Sequence, residues 1–256
     1  MGLSRRAFLK ATALSVGSIS LLKASATSAA RQMYPVPPTV MLHTADRRQL
    51  LKLLLWLNEQ QYTGIGYADL LNAMQGKTSL PAKPILITID DLASNYIQPY
   101  FLDMAKMVED AGQRGIFGVV TRESPARSPK VWAQLADLAQ RGWEMDSHTK
   151  THALFSSLSM DDLRDEIIGS AQWLTDGIGR APLSLIAPYG GVYTTGRNFD
   201  ARVFDLAREG GYQFVVGIVG GRNITSMDQP PYYVGRVGTG VDHVQTAYWI
   251  THFREG

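Results

Sequence analysis

The sequence contains no cysteine in its 256 residues. This absence excludes disulfide bonds, catalysis by a thiolate, zinc sites made of cysteines and lipid attachment through an N-terminal cysteine. Any metal ion that the chain binds must therefore be held by histidine, aspartate or glutamate. The absence does not identify a compartment, because an exported protein of this size can be stabilised by its core instead of by cross-links.

An excess of charge of one sign is also missing. The chain has 25 basic and 23 acidic residues, so its formal net charge is +2. The only charged residues in the segment 1–30 are Arg5, Arg6, Lys10 and Lys23, and removing them changes the net charge to −2. Since the basic excess belongs to this segment, the charge balance predicts no nucleic-acid partner.

Long apolar runs are absent from the N-terminal segment as well. Its apolar stretch, Ala11 to Leu22, is too short to span a bilayer comfortably and is followed by small residues. The residues Ser4 to Lys10 resemble the twin-arginine export motif. We therefore predict a twin-arginine-type signal peptide over residues 1–30, no stable membrane span, and a bacterial protein exported folded to the periplasm or beyond. The export machinery would then be a partner.

The rest of the chain, residues 31–256, has the composition of one globular domain, with 45% hydrophobic residues in the whole sequence. Strand and helix patterns alternate about seven times. This alternation predicts a single-domain, irregular parallel β/α barrel of about seven strands, with an open doubly wound sheet as the alternative. The predicted strands are 39–42, 85–89, 116–120, 143–147, 183–187, 213–218 and 233–237.

Two clusters of polar residues follow predicted strands. Asp90 and Asp91 come after the buried strand 85–89, and His148 and His152 follow a later strand. Ligands of α/β folds bind at the carboxyl ends of the strands, where two acids can divide metal binding and proton transfer between them. Each cluster alone is also compatible with a turn or with surface residues. Together they indicate a hydrolytic metal site.

The motifs resemble those of a known family. Thr88 to Asp91, Gly142 to His148 with His152, and Ala187 to Gly190 appear in the order and spacing of the polysaccharide deacetylases, the family-four carbohydrate esterases. The stretch from Val40 to His43 is similar to the branch that contains exported poly-N-acetylglucosamine deacetylases. The resemblance implies that residues 31–256 are a catalytic domain that removes N-acetyl groups from a cell-envelope or exported polysaccharide.

The resemblance also implies a role for each motif residue. Asp91, His148 and His152 would bind one divalent metal ion, usually zinc in this family. Asp90 would be the general base, and the backbone N–H of Tyr189 would stabilise the oxygen of the tetrahedral intermediate. The neighbours of Tyr189, which are Pro188 and Gly190, are expected to contact the polysaccharide or oligosaccharide substrate.

The sequence departs from the family pattern at several positions. Leu92 stands where the family usually has glycine, which predicts a reshaped loop after Asp91. The arginine of the third motif is missing, and Arg236 is expected to orient the base in its place. For the general acid we assign His43, while His243 and His252 stay open as alternatives. Two alternative functions stay open. One is hydrolysis of O-acetyl esters on a polysaccharide, and the other is glycan binding without hydrolysis.

Aromatic residues near the predicted strand ends are candidates for stacking on sugar rings. They are equally compatible with packing in the core. The candidates are Tyr96, Trp143, Tyr189 and Tyr193.

Overall fold

A computed structural model of the protein describes residues 35–43, 47–194, 198–218, 229–238 and 242–253. The signal peptide expected in residues 1–30 lies outside these ranges and stays a prediction. The described part of the chain contains no helix that is long and apolar enough to cross a membrane.

All strands of the described residues belong to one sheet, and every pair of neighbours is parallel. Along the sheet the order is β8, β7, β6, β5, β4, β3, β1, β9, and β2 pairs with the N-terminal half of β3. The strands are β1 (Thr39–Leu42), β2 (Thr63–Ile65), β3 (Pro84–Ala93), β4 (Ile116–Val120), β5 (Glu144–Ser147), β6 (Ser184–Ile186), β7 (Phe214–Gly217), β8 (Tyr232–Gly235) and β9 (Val237–Gly238).

The two ends of this sheet meet at Arg236. Strand β8 pairs with β7, strand β9 pairs with β1, and Arg236 is the single residue between β8 and β9. Strands β8 and β9 together fill one strand position between β7 and β1. The sheet therefore forms a nearly closed barrel with seven strand positions. The predicted β/α barrel is confirmed, and the open sheet is wrong. Strand β2 was not predicted, because a segment of three residues shows no periodicity.

Helices surround the barrel. They are α1 (Arg47–Glu59), α2 (Tyr67–Met74), α3 (Pro99–Asp110), α4 (Pro129–Gln140), α5 (Met160–Arg164), α6 (Ser170–Ile178), α7 (Ala201–Glu209) and α8 (His243–Thr251), and a π-helical turn, Asp165–Gly169, joins α5 to α6. Helix α5 begins where Ser159 accepts a hydrogen bond from the N–H of Asp162, and Asp200 caps α7 in the same way through Arg202.

The alternation of side chains along the strands places polar groups inside the barrel. On β5, Met145 packs with the helices, whereas Glu144 and Asp146 are buried on the opposite face. Apolar side chains, among them Leu86 and Phe214, pack near the N-terminal ends of the strands. The upper part of the barrel, at the carboxyl ends of the strands, holds the charged residues of the site.

Candidate active site

Asp90 and Asp91 lie in a β-bulge. Strand β3 continues past both acids to Ala93, and its register with β4 shifts between Ile89 and Leu92. The expectation that the strand ends at Ile89 is therefore wrong. The bulge turns the two carboxylates in different directions, because Asp90 is 1% exposed inside the barrel whereas the Asp91 side chain is 44% exposed.

Leu92 fits this bulge without a special backbone conformation. The left-handed residue is Asp91, with φ of +68°, and Leu92 is buried opposite Val119 in the sheet. Aspartate adopts this conformation more easily than most residues. The predicted reshaping of the chain thus falls at Asp91 and not in a loop after it.

The Asp90 carboxylate is held by Arg236. Nη1 of Arg236 donates to both carboxylate oxygens, at 2.9 and 2.7 Å, and to Oγ1 of Thr88 at 2.9 Å. Its Nε donates to the carbonyl of Gly217 at 3.3 Å. On the other side of Asp90, a Cβ at Gly118 would lie 3.1 Å from Oδ1. Arg236 therefore contacts both carboxylate oxygens of Asp90, and Gly118 leaves room for the carboxylate.

Asp91, His148 and His152 form a cluster with the chemistry of a metal site. Oδ1 of Asp91 lies 3.4 Å from Nε2 of His148 and 3.3 Å from Nε2 of His152. The ligand atoms of all three residues lie within 4.8 Å of one another. One carboxylate and two imidazoles that leave further positions open are a common donor set for a catalytic zinc ion.

The protonation of His148 supports this interpretation. Its Nδ1 lies 2.8 Å from the carbonyl of Ile186, and because a carbonyl only accepts, Nδ1 carries the proton. In the neutral ring Nε2 then has a free lone pair. This atom is buried and has no hydrogen-bond partner among the described residues. A cation bound at the cluster would satisfy it, so the residues fit a metal ion.

The pKa shifts of Asp91 and His152 favour the forms of these two residues that bind cations. The pKa of Asp91 is lowered, chiefly because its carboxylate lies against His148, with further effects from His152 and His43. Burial, and then the neighbouring His148, lower the pKa of His152. A deprotonated carboxylate and neutral imidazoles are the states that coordinate a metal.

Glu166 holds the loop that carries both histidines. Thr149 and His152 in this loop have left-handed backbones, each with φ of +66°. The buried Glu166 carboxylate accepts hydrogen bonds from the backbone N–H groups of Lys150 and Thr151, both at 2.9 Å, and from the Thr151 hydroxyl. Hydrogen bonds of this kind to a carboxylate stabilise an otherwise costly conformation.

Our sequence analysis missed Glu166. It lies in the π-helical turn, between α5 and α6. The available signal was an acid inside an apolar stripe, since Leu163 and Ile167 are buried at helical spacing on either side of it.

The third motif lies beside His152. Pro188, Tyr189 and Gly190 form a short turn after β6, in which Pro188 is buried and Tyr189 has φ of +56°. The exposed Tyr189 ring packs edge-on against His152, with ring centroids 4.7 Å apart. Gly190 has φ of +66°, and a Cβ there would come within 2.7 Å of the Ile218 side chain. Glycine is therefore required at this position.

The three histidines proposed as general acids occupy different places. His43 is exposed at the end of β1, close enough to Asp91 to lower its pKa. His243 begins α8, with its Nδ1 3.2 Å from Gln49 Oε1. His252 ends α8 with its ring stacked on Tyr248, and its neighbour Phe253 packs in the apolar cluster that contains residues from the N-terminal ends of the strands. The pairing of Leu42 with Ile89 places His43, which follows Leu42, beside the bulge that carries the two acids.

A pocket of about 510 Å³ opens next to the metal cluster. We call it the rim pocket. It shares Asp91 and His152 with the cluster, and its other polar lining residues are Asn95, Tyr96, Gln98, Tyr100 and Arg122. Tyr96 is therefore placed where it could contact a sugar. By contrast, Trp143 packs on Phe117 and Tyr193 stacks on Phe199, and neither lines the pocket.

The fold and the site together define a β/α barrel with candidate metal ligands and a candidate base at the carboxyl ends of its strands, where enzymes of this architecture act. Residues 77–215 match the family model for polysaccharide deacetylase, which is more than half of the chain. The chain therefore belongs to the polysaccharide deacetylase family, and the expected family is confirmed. No curated protein sequence matches the chain.

Several solved structures share the fold. The deacetylase PplD of Streptococcus pyogenes, in complex with acetate, has a TM-score of 0.67 and 14% identity over 84% of this chain and 98% of that one. IcaB from Ammonifex degensii has a TM-score of 0.63 and 16% identity, covering 85% and 98%. A de-N-acetylase from Aggregatibacter actinomycetemcomitans has a TM-score of 0.61 and 17% identity, covering 82% and 98%.

Proposed function

We propose that this protein is a metal-dependent hydrolase that removes N-acetyl groups from an exported or cell-envelope polysaccharide containing N-acetylglucosamine. The observation that carries the proposal is the position of the Asp91, His148 and His152 ligand atoms within 4.8 Å of one another, beside the paired Asp90 and Arg236. Membership of the polysaccharide deacetylase family supports the reaction class. A similar fold in a de-N-acetylase supports the amide substrate.

Asp91, His148 and His152 would hold one divalent ion, with zinc the best match to this donor set. When bound, such an ion polarises the substrate carbonyl and lowers the pKa of its water from about 15.7 toward about 7. Asp90 accepts the proton of the attacking water, and Arg236 fixes the carboxylate for this transfer.

The remaining residues act on the substrate. The backbone N–H of Tyr189 stabilises the negative charge that develops on the carbonyl oxygen, and one such donor contributes on the order of 3 kcal/mol. The exposed His43 donates a proton to the amide nitrogen as the C–N bond breaks, which releases acetate and leaves a free amine on the sugar. Pro188 and Gly190 shape the surface on which the sugar lies.

We also propose that the protein is exported, because a polysaccharide of the cell envelope lies outside the cytoplasm. The motif from Ser4 to Lys10 supports a twin-arginine route, with residues 1–30 as the signal peptide. Replacing Arg5 and Arg6 together by lysine should retain the protein in the cytoplasm of a bacterial host. Fractionation that finds the variant outside the cytoplasm would show that another route is used.

The reaction is tested with purified protein that begins at residue 31. Acetate release from N-acetylglucosamine oligomers is measured after the metal has been removed and again after zinc has been added. We expect activity to be absent without metal and to return with zinc. Undiminished binding of the oligomers to metal-free protein, without acetate release in either state, would favour the glycan-binding alternative.

Hydrolysis of O-acetyl esters is a second candidate, and the placement of the histidines favours it. His43 follows the strand that pairs with β3 and contributes to the lowered pKa of Asp91, whereas His243 contacts Gln49 of α1 and His252 stacks on Tyr248. An ester has a better leaving group and needs less help from an acid. Acetate release from O-acetylated xylan, compared with that from N-acetylglucosamine oligomers, separates the two reactions.

A further inference from the structure

Apart from Asp91 and His152 of the metal cluster, the lining of the rim pocket has one charged side chain, and that side chain is a cation. Asn95 and Gln98 contribute amides, and Tyr96 and Tyr100 contribute aromatic rings and hydroxyl groups. Arg122 is the cation of this lining and is exposed. Among the residues that the structure describes, no carboxylate forms an ion pair with Arg122.

Arg122 is placed close to the reacting centre. It lies two residues after β4, and its backbone N–H bonds to the carbonyl of Val120 at 2.9 Å. Arg122 lines the same pocket as Asp91 and His152 of the metal cluster. A second arginine in the same loop, Arg127, is also exposed but does not line the pocket.

The amide and tyrosine side chains of the lining account for recognition of an uncharged sugar. Amides exchange hydrogen bonds with hydroxyl groups, and tyrosine rings cover the apolar face of a pyranose. Neither interaction requires a guanidinium. A guanidinium presents paired donors that match a carboxylate or a phosphate, and the bonds formed with such anions are stronger than those between neutral groups.

We infer that Arg122 binds an anionic substituent, a carboxylate or a phosphate, on a sugar next to the one that is deacetylated. This inference rests on the proposed deacetylase function and narrows its substrate to an acidic polysaccharide. It also predicts weaker binding of polymers that already carry free amines, because a sugar ammonium group beside Arg122 would be repelled.

The test compares three oligosaccharides of equal length with the zinc-loaded protein. One is a neutral N-acetylglucosamine oligomer, one alternates N-acetylglucosamine with glucuronic acid, and one carries phosphate on the sugar beside the N-acetyl group. We expect kcat/KM for acetate release to be about tenfold higher for at least one anionic probe, through a lower KM, because a hydrogen bond to a charged group has this magnitude. The anionic probe with the larger increase in kcat/KM over the neutral probe identifies the preferred anion.

Two variants separate recognition by Arg122 from general electrostatic attraction. Arg122→Gln should reduce the ratio between anionic and neutral probes to about one, whereas Arg127→Gln should keep the wild-type ratio. Raising the salt concentration should lower the ratio of kcat/KM between anionic and neutral probes in the wild type. The reason is that Arg122 is exposed, so salt screens its attraction to an anion. An equal kcat/KM for all probes in the wild type, or an unchanged ratio in Arg122→Gln, would refute the inference.

A measurement of probe binding tests the anion site even if the protein is not a deacetylase. The affinity of each probe for the zinc-loaded wild type and for Arg122→Gln is measured by calorimetry. If no probe releases acetate, the deacetylase proposal fails. A preference for anionic probes that depends on Arg122 would still support the anion site, and binding without such a preference would refute it.

Discussion

Nη1 of Arg236 donates hydrogen bonds to both carboxylate oxygens of Asp90, at 2.9 and 2.7 Å, although the two residues are 146 positions apart in the sequence. Each side chain is only 1% exposed. Removing one member of such a pair leaves a buried charge without compensation. The pair therefore links the stability of the barrel to the position of the candidate base.

Replacement of Arg236 by methionine tests this link. Methionine has a side-chain volume similar to that of arginine but leaves the Asp90 carboxylate without its ion-pair partner. We therefore expect the free energy of unfolding to fall by about 3 to 5 kcal/mol. Urea denaturation measures the loss. The control is Arg47→Gln, which breaks an ion pair with Asp103 whose side chains are 72% and 52% exposed and should cost less than about 1 kcal/mol. A loss as small as that of the control in Arg236→Met would show that the buried pair contributes little.

The two neighbouring aspartates should have separable roles. Asp90→Asn should keep one zinc ion per chain and lower kcat by about 10² to 10⁴, because it removes the base without removing a ligand. Asp91→Ala should lose both zinc binding and activity. Calorimetric titration with zinc and acetate release are measured on the same samples. Full activity in Asp90→Asn would mean that another group takes the proton.

Glu166 is predicted to position the metal ligands through the loop 149–152. Glu166→Ala removes three hydrogen bonds to the loop and should weaken zinc binding by about 10- to 100-fold, as other changes behind metal ligands do. Glu166→Gln can keep these contacts, since its oxygen can accept from both N–H groups, and should restore much of the affinity.

The matched control for Glu166 is Asp165→Asn. Asp165 lies in the same π-helical turn, but its side chain is 61% exposed and pairs with Lys150. Zinc affinity in this control should stay close to that of the wild type. If Glu166→Ala and Asp165→Asn weaken zinc binding equally, the effect is not specific to the hydrogen bonds of the buried Glu166 carboxylate.

The buried acids of β5 should make stability depend on pH. Burial and then the charge of Asp146 raise the pKa of Glu144 to about 7, opposed by the N–H groups of Tyr67 and Ala68 and by Arg180. Because the folded chain binds this proton more tightly than the unfolded chain, stability falls as pH rises from about 4.5 to about 7, by an amount on the order of 3 kcal/mol.

Asp146→Asn should reduce this loss. Its amide can keep the contacts with the Leu183 N–H and the Ser184 hydroxyl, at 2.9 and 2.7 Å, while the like charge beside Glu144 disappears. We expect the variant to lose less stability than the wild type between pH 5 and pH 8 in urea denaturation. Asp137→Asn, at a side chain that is 68% exposed, should keep the wild-type dependence. The same slope in Asp146→Asn and the wild type would refute the coupling.

The assignment of His43 as the acid predicts a difference between substrates. His43→Ala should lower kcat for N-acetylglucosamine oligomers by about 10²-fold, because an amine must be protonated as it leaves. Hydrolysis of 4-nitrophenyl acetate should change little, since nitrophenolate leaves without a proton. His243→Ala is the control and should leave the ratio of the two rates unchanged. An equal loss on both substrates would rule out the acid role.

The sequence alone was sufficient for the features that depend on local pattern. Alternating strand and helix signals predicted the barrel, and strands that end near Asp91, His148 and Tyr189 predicted which residues would meet at one edge. This succeeds because parallel strands in a β/α barrel all present their carboxyl ends on the same side. Motif spacing along the chain then carried the family assignment.

Contacts across the barrel could be decided only by the tertiary structure. The hydrogen bonds of Arg236 to Asp90 depend on closure of the sheet between its last and first strands, and the bulge at Asp91 depends on a register shift against β4. The placement of Glu166 depends on a π-helical turn, and Arg122 enters the rim pocket through packing of separate loops. These features have no fixed spacing in sequence, because they arise when segments distant along the chain are brought into contact.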